Sequence, residues 1–127
     1  PLELIHFMEQ LRDKGITIVN SAVFQAGFLI GGNYYDYKLI SPDTPENKAK
    51  FEWRDQFFTL CNKYNIKPSI ACVNFAKRAP GVSSIALNTS KPDHVKGNVD
   101  SVFSNIPKEF YTEMKENGLI ADYCNFI

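Results

Sequence analysis

The chain has 127 residues, and its 14 basic and 14 acidic side chains give a net charge of zero. This length suits one domain with a modest core, and the scattered charge does not favour a nucleic-acid surface. No apolar run is long enough to span a membrane, and no signal-peptide pattern is present. Cys61, Cys72 and Cys124 are odd in number and form no C-x-x-C pair. We therefore expect free thiols, a reducing cytoplasm and no metal site.

The first half of the chain predicts a helix, a short strand, a loop and a long helix. Apolar side chains share one face of a helix over 2–14, and Gly15 ends it. The run 16–20 has the length and composition of a strand. The aromatic segment 34–43 predicts a loop with a turn at its end, and 46–64 predicts an amphipathic helix.

The candidate core residues lie mainly on these two helices. Large apolar side chains at helical spacing are usually core residues rather than ligands. Trp53 stands between two charged residues and is expected to be a half-buried anchor. The side chains expected on the apolar faces are Leu4, Phe7, Met8, Leu11, Phe51, Phe57, Phe58 and Cys61.

The second half predicts an ambiguous segment, a second strand and two helices. In 69–78 the β-branched and aromatic residues suit a strand, whereas the preceding proline and several alanines favour a helix. The run 82–87 predicts a strand. A helix over 92–103 is expected to be capped by Ser90, and a last helix covers 107–117.

A strand that leads through a short polar loop into a helix is present at 82–98, with a looser version at 16–32. Such strand ends bring free backbone N–H groups near the positive end of a helix dipole, which favours an anion such as phosphate. Neither G-x-G-x-x-G nor a Walker loop is present, so a Rossmann or P-loop site is excluded. Because two strands do not form a self-sufficient sheet, the alternation predicts an α/β protein cut from a larger domain.

Several blocks of the sequence resemble the C-terminal part of the aldo/keto reductases, which are NAD(P)-dependent (β/α)8 barrels. The blocks are 20–29, 31–37, 51–54, 79–82 and 87–98. The likeness is greatest to the aldose dehydrogenases that act on fucose- and threo-configured sugars. It implies an incomplete TIM barrel over 1–127, made of about two βα units and terminal helices. Strands seven and eight would be 16–20 and 82–87, and 69–78 would be a helix.

The resemblance also implies where a cofactor binds. The loop after the first strand would hold the pyrophosphate, and the loop after the second strand would hold the adenosine end. The residues concerned are Ala22, Phe24, Ala26 and Gly27 in the first loop and Asn88, Thr89, Ser90, His94 and Asn98 in the second. NADP-preferring relatives carry Lys or Arg at the positions of Asn88 and His94, whereas this chain has an amide and a partly charged imidazole there. NAD, or a relaxed choice that includes NADP, is therefore the expected cofactor.

The catalytic Asp, Tyr, Lys and His of the family belong to the first half of the barrel, so the resemblance maps no catalytic residue onto this chain. It implies a parent oxidoreductase that acts on a sugar or small carbonyl. The 127 residues alone are expected to lack catalysis and to bind cofactor weakly or not at all. The start at Pro1, without an initiator Met, is expected of a processed or truncated piece.

A non-enzymatic barrel fragment, folded or oligomeric, is the alternative hypothesis. Open strand edges and an uncovered apolar face predict that the fragment associates with itself. Two local features each have two interpretations. The aromatic run 34–37 suits loop packing or a lid over a sugar. Asp93 suits a helix cap or a ribose ligand.

Overall fold

The computed structural model describes residues 1–127 as a mixed α/β fold with five helices and few strands. The helices are α1 (Leu2–Asp13), α2 (Pro45–Lys63), α3 (Pro68–Arg78), α4 (Asp93–Phe103) and α5 (Lys108–Glu116). The strands are β1 (Ile18–Ser21), β2 (Tyr34–Tyr35), β3 (Lys38–Leu39) and β4 (Val82–Ala86), and a 3₁₀ turn covers Phe28–Ile30. None of the helices combines the length and the apolar composition that crossing a membrane requires.

The main sheet has two strands, β1 and β4, which pair in parallel. The register joins Asn20 with Ile85 and Ser21 with Ala86, after an irregularity near Ile18. A parallel pair needs a long crossover connection, and here that connection contains α2 and α3. Both strands therefore end at the same edge, and the segments that follow them begin side by side.

The ambiguous segment is a helix, α3. Lys67 is extended and Pro68 opens the helix, where the missing N–H of proline costs nothing and its fixed φ is already helical. Two basic residues in the last turn complement the helix dipole. Its buried face is narrow and built largely from small side chains, namely Ala71, Val73, Asn74 and Ala76.

The hydrophobic core lies among α2, α3, α5 and the C-terminal segment rather than at the sheet. Its nine buried members are Phe57, Leu60, Cys61, Ala71, Ile106, Phe110, Tyr111, Met114 and Leu119. Phe57 and Cys61 are buried as expected, whereas Phe51 and Phe58 are only partly buried. Trp53 is half-buried, as expected, and its Nε1 donates to the Leu119 carbonyl at 3.2 Å.

A buried polar pair links α3 to the helices that follow. The Tyr111 hydroxyl donates to Asn74 Oδ1 at 2.8 Å, and Asn74 Nδ2 donates to the Ser104 carbonyl at 2.8 Å. Because a buried amide is costly unless it is hydrogen-bonded, this arrangement fixes the position of α5 against α3.

The apolar face predicted for α1 is not covered by other elements. Leu4 and Phe7 are 51% and 54% exposed, and no residue of α1 is buried. The strands are also less buried than expected for inner strands, since every residue of β1 and β4 is intermediate or exposed. A helix that packs on a two-stranded sheet has no further layer to cover it.

Two local predictions are wrong. Ser90 does not cap the helix that follows, because α4 begins at Asp93 without a side-chain cap. The Thr89 hydroxyl instead accepts from the Lys91 N–H at 3.1 Å and forms the turn before the helix. The loop predicted at 34–43 contains the hairpin β2–β3, whose two turn residues, Asp36 and Tyr37, have φ of +49° and +60°.

An ion pair with a further hydrogen bond joins α2 to α5. Lys63 Nζ lies 2.7 Å from Glu113 Oε1, and the Tyr64 hydroxyl donates to Glu113 Oε2 at 2.8 Å. These bonds lower the pKa of the Glu113 carboxyl below its usual value. The stabilisation is therefore present above the pKa of an unfolded glutamate and is lost as the pH falls through the lowered folded-state pKa.

We expect Glu113→Gln to lower the melting temperature at pH 7. The difference from the unaltered chain should shrink as the pH falls below the usual pKa of a glutamate, about 4.3, and through the lowered pKa of Glu113. Thermal unfolding followed by circular dichroism between pH 3 and 7 measures this. Asp55→Asn is the control, since Asp55 is an exposed carboxylate of α2 without an ion pair. A difference that stays constant over the whole pH range would contradict the prediction.

We also expect the 127-residue chain to self-associate at micromolar concentration. β1 and β4 bond only to each other, so each keeps an unpaired edge that can recruit another strand. Val19 on β1 is 56% exposed, and Phe103 at the end of α4 is 77% exposed. Multi-angle light scattering should show dimers or larger species, and Val19→Lys should shift them toward monomer. A stable monomer that unfolds cooperatively would contradict this expectation.

Candidate functional site

A cavity of about 620 Å³ lies at the edge where β1 and β4 end. The pairing of Ser21 with Ala86 brings the two strand ends together. The segment 22–32 leaves β1 and the segment 87–92 leaves β4, and both contribute to the walls. A cavity at the carboxyl ends of parallel strands is the usual place for a ligand in α/β proteins.

All nine residues that the sequence assigned to a cofactor line this cavity. Ala22, Phe24, Ala26 and Gly27 come from the first loop, and Asn88, Thr89, Ser90, His94 and Asn98 come from the second loop and α4. The structure thus brings together two groups that lie more than 60 positions apart in the chain. Their role as cofactor ligands stays a prediction.

The loop 22–32 has an unusual backbone. Ala22, Gln25 and Ala26 have left-handed φ values of +57°, +48° and +55°. Each such residue with a Cβ costs about 1–2 kcal/mol relative to the right-handed form, and residues of this kind cluster at functional sites. The surrounding contacts must therefore hold the loop in place.

Backbone hydrogen bonds close the loop on itself. The N–H groups of Gly27 and Leu29 both donate to the Phe24 carbonyl, at 2.9 and 3.2 Å, and the Gly32 N–H donates to the Gly27 carbonyl at 2.9 Å. A Cβ at Gly32 would lie 3.0 Å from the Gly27 oxygen, so a larger residue there would have to shift the loop backbone by a small amount. The result is a compact loop with its two ends close together.

Nine residues in the cavity wall have a backbone N–H group that donates no hydrogen bond within the chain, namely Ala22, Val23, Phe24, Ala26, Tyr37, Leu87, Asn88, Thr89 and Ser90. Backbone N–H groups without a partner in a concave wall are available to a ligand and favour an anion.

The side chains that line the cavity make it favourable for an anion. They include Lys91 and His94 but no Asp or Glu. Lys91 was not among the site residues expected from the sequence, although it stands next to Ser90 in the same loop. Lys91 makes no ion pair with a carboxylate, so its charge is available to a ligand. Tyr37, from the hairpin turn, also reaches the cavity wall while 82% exposed, a position that suits the lid hypothesis.

A second, apolar cavity of about 480 Å³ shares Ser21, Ala22 and Val23 with the first. Cys72 and Cys124 lie in its wall. Burial raises the pKa of the Cys72 thiol to about 12, so this thiol is not a nucleophile near neutral pH. No group of three or more His, Cys, Asp or Glu side chains is placed to hold a metal ion.

Comparisons with known proteins identify the family of the chain. A model of the aldo/keto reductase family matches residues 2–118. The chain is similar to the pyridoxal 4-dehydrogenase of Microbacterium luteolum, with 28% identity over 116 residues, which is 91% of this chain and 33% of that protein. The chain thus spans about a third of the length of this curated relative. No solved structure matches the chain.

Proposed function

Because this chain belongs to the aldo/keto reductase family, we propose that it forms the cofactor-binding end of an NAD(P)-dependent oxidoreductase. In this proposal β1 and β4 are strands seven and eight of a (β/α)8 barrel. Their parallel pairing and the helical crossover between them support this assignment. The loops after strands seven and eight of such barrels frequently form a phosphate site.

The observation that carries the proposal is a cavity whose wall contains backbone N–H groups without a partner and a lysine, but no carboxylate. A dinucleotide has a pyrophosphate with two negative charges, and the amides of Val23, Phe24 and Ala26 are suited to bind it. The side chains of Asn88 and Asn98 can hydrogen-bond a ribose or an adenine edge. The residues present therefore fit a nicotinamide dinucleotide, which supplies the hydride in redox chemistry.

The substrate of the complete enzyme has two candidates. The resemblance of the sequence favours an aldose of fucose or threo configuration. The name of the relative from M. luteolum indicates that it acts on pyridoxal, which is an aromatic aldehyde. Both are small carbonyl compounds or their reduced equivalents, so we propose this class. Parallel assays of the complete enzyme with L-fucose and pyridoxal distinguish the two.

A second candidate function is a folded module without chemistry. The observation that favours it is the place of the core, which lies among α2, α3 and α5 and contains no strand residue. A fragment of this kind would unfold cooperatively at a temperature that saturating NADH does not change, whereas a cofactor-binding segment would be stabilised by its ligand.

We expect the purified 127-residue chain to show weak NADH binding and no turnover of L-fucose, D-arabinose, L-galactose or pyridoxal. The reason is that the resemblance places the catalytic Asp, Tyr, Lys and His outside this chain. NADH binding is measured by fluorescence titration and turnover by absorbance at the nicotinamide band. Steady NADH production, free of contaminating dehydrogenase, would refute the prediction on activity.

In the complete enzyme, we expect NAD to be used at least as well as NADP, because Asn88 and His94 give no permanent charge for a 2′-phosphate. His94→Arg should then raise kcat/KM for NADP about tenfold relative to NAD, since a charge-assisted hydrogen bond contributes about 1.5–3 kcal/mol. Lys91→Met is the companion variant. It should lower the affinity for both cofactors, because Lys91 is the one permanent cation in the cavity wall. A strong preference of the unaltered enzyme for NADP would contradict the expectation.

A further inference from the structure

An arginine on α2 lies against the loop 22–32, outside the cavity. Arg54 Nη1 donates to the Gly32 carbonyl at 2.7 Å and to the Phe28 carbonyl at 3.5 Å. Neither Arg54 nor these two carbonyls belongs to the cavity wall. The arginine therefore joins the far end of the loop to a helix of the core.

The guanidinium of Arg54 is surrounded by aromatic rings rather than by carboxylates. Its central carbon lies 4.5 Å from the ring centre of Phe28, 4.6 Å from Phe51 and 5.7 Å from Phe58. Arg54 makes no ion pair, and its Nε is buried without a partner. Cation–π interactions with aromatic rings can partly replace the hydration of a buried cation. A buried donor without a partner still costs free energy.

The free-energy cost of the buried Nε indicates that the guanidinium makes contacts that no other side chain could make here. A methionine would fill the same space between the rings without a buried donor, but it could not donate to the two carbonyls. A lysine would keep the charge, but its ammonium cannot stack flat on the rings while it donates. The planar fork of Arg54 does both at once.

The loop needs such a contact. The left-handed residues Ala22, Gln25 and Ala26 are strained, so contacts outside the loop have to hold them in place. The 3₁₀ turn of the loop packs against α3, and Phe28 contacts Tyr35 edge-on. Arg54 adds hydrogen bonds to the loop backbone. Phe28, which carries one of the bonded carbonyls, is only 1% exposed and packs edge-on against Phe51, with ring centres 5.2 Å apart. Arg54 therefore contacts both the backbone and the buried side chain at this point.

We propose that Arg54 is a positioning residue, which holds the loop 22–32 in the conformation that presents the N–H groups of Val23, Phe24 and Ala26 to the cavity. Arg54 does not touch the ligand. The identity of the ligand rests on the proposed function, whereas the effect on the loop does not. The two can therefore be tested separately.

The first test measures amide hydrogen exchange without any ligand. In Arg54→Met, the amides of Leu29 and Gly32 should exchange about tenfold faster, which corresponds to the loss of about 1.4 kcal/mol of local stability. The amides of α3 should keep their protection. Lys48→Met is the matched control, because Lys48 is an exposed cation of the same helix that pairs only with Glu52. Unchanged exchange in the loop, or equal acceleration in α3, overturns the proposal.

The second test compares two ligands. NADH contains the pyrophosphate assigned to the loop 22–32, whereas adenosine has no phosphate and would contact the segment 88–98 alone. Arg54→Met should weaken NADH binding about tenfold, in proportion to the loss of local stability, and should leave the affinity for adenosine almost unchanged. Equal loss of both affinities would overturn a specific action on the loop.

Two outcomes separate this inference from the proposed function. If the unaltered chain binds neither ligand, the proposed function fails, and the exchange of Leu29 and Gly32 alone decides the role of Arg54. If Arg54→Met does not fold, Arg54→Lys replaces it, because lysine keeps the charge and the alkyl stem. The loop amides of that variant should still exchange faster than those of Lys48→Met, and equal rates would overturn the proposal.

Discussion

The parallel pairing of β1 with β4 is the constraint on which the rest of the site depends. Parallel strands end at the same edge, so the pairing of Ser21 with Ala86 makes the loops after both strands neighbours. An antiparallel pair would place these loops at opposite edges, and the nine lining residues would not meet. The pairing in turn requires the crossover through α2 and α3, which also supply much of the core.

The buried core and the candidate binding site lie in different parts of this molecule. The buried residues belong mostly to α2, α3, α5 and the C-terminal segment, whereas no strand residue is buried. The left-handed residues lie in the loop after β1 and in other turns. The buried helical core can thus hold a strained loop against its surface. Arg54 and Trp53, which are neighbours on α2, contact the loop and the C-terminal segment respectively.

Short sequence patterns predicted the secondary-structure elements that depend mainly on residues close together in the chain. Apolar periodicity predicted the helices over 2–14 and 46–64, and the alternation of strands with helices predicted an α/β fold. Burial of α1 could not be predicted, because it depends on which elements cover Leu4 and Phe7. The hairpin escaped prediction because Asp36 and Tyr37 are not the glycine-rich pair that favours such a turn.

The site residues also divide into those that the sequence could predict and those that it could not. The resemblance assigned nine residues, and the structure brings all nine to one cavity. It gave no reason to choose Lys91, because it assigns the cations to the positions of Asn88 and His94. Arg54 could not be found from sequence, since its partners are carbonyls 22 and 26 positions away, and every residue has a carbonyl. What links these residues is preorganisation: a loop whose N–H groups are fixed before the ligand arrives loses less entropy on binding. The backbone strain at Ala22 and Ala26 and the buried Nε of Arg54 lower the free energy of unfolding. Packing in the helical core has to offset this loss.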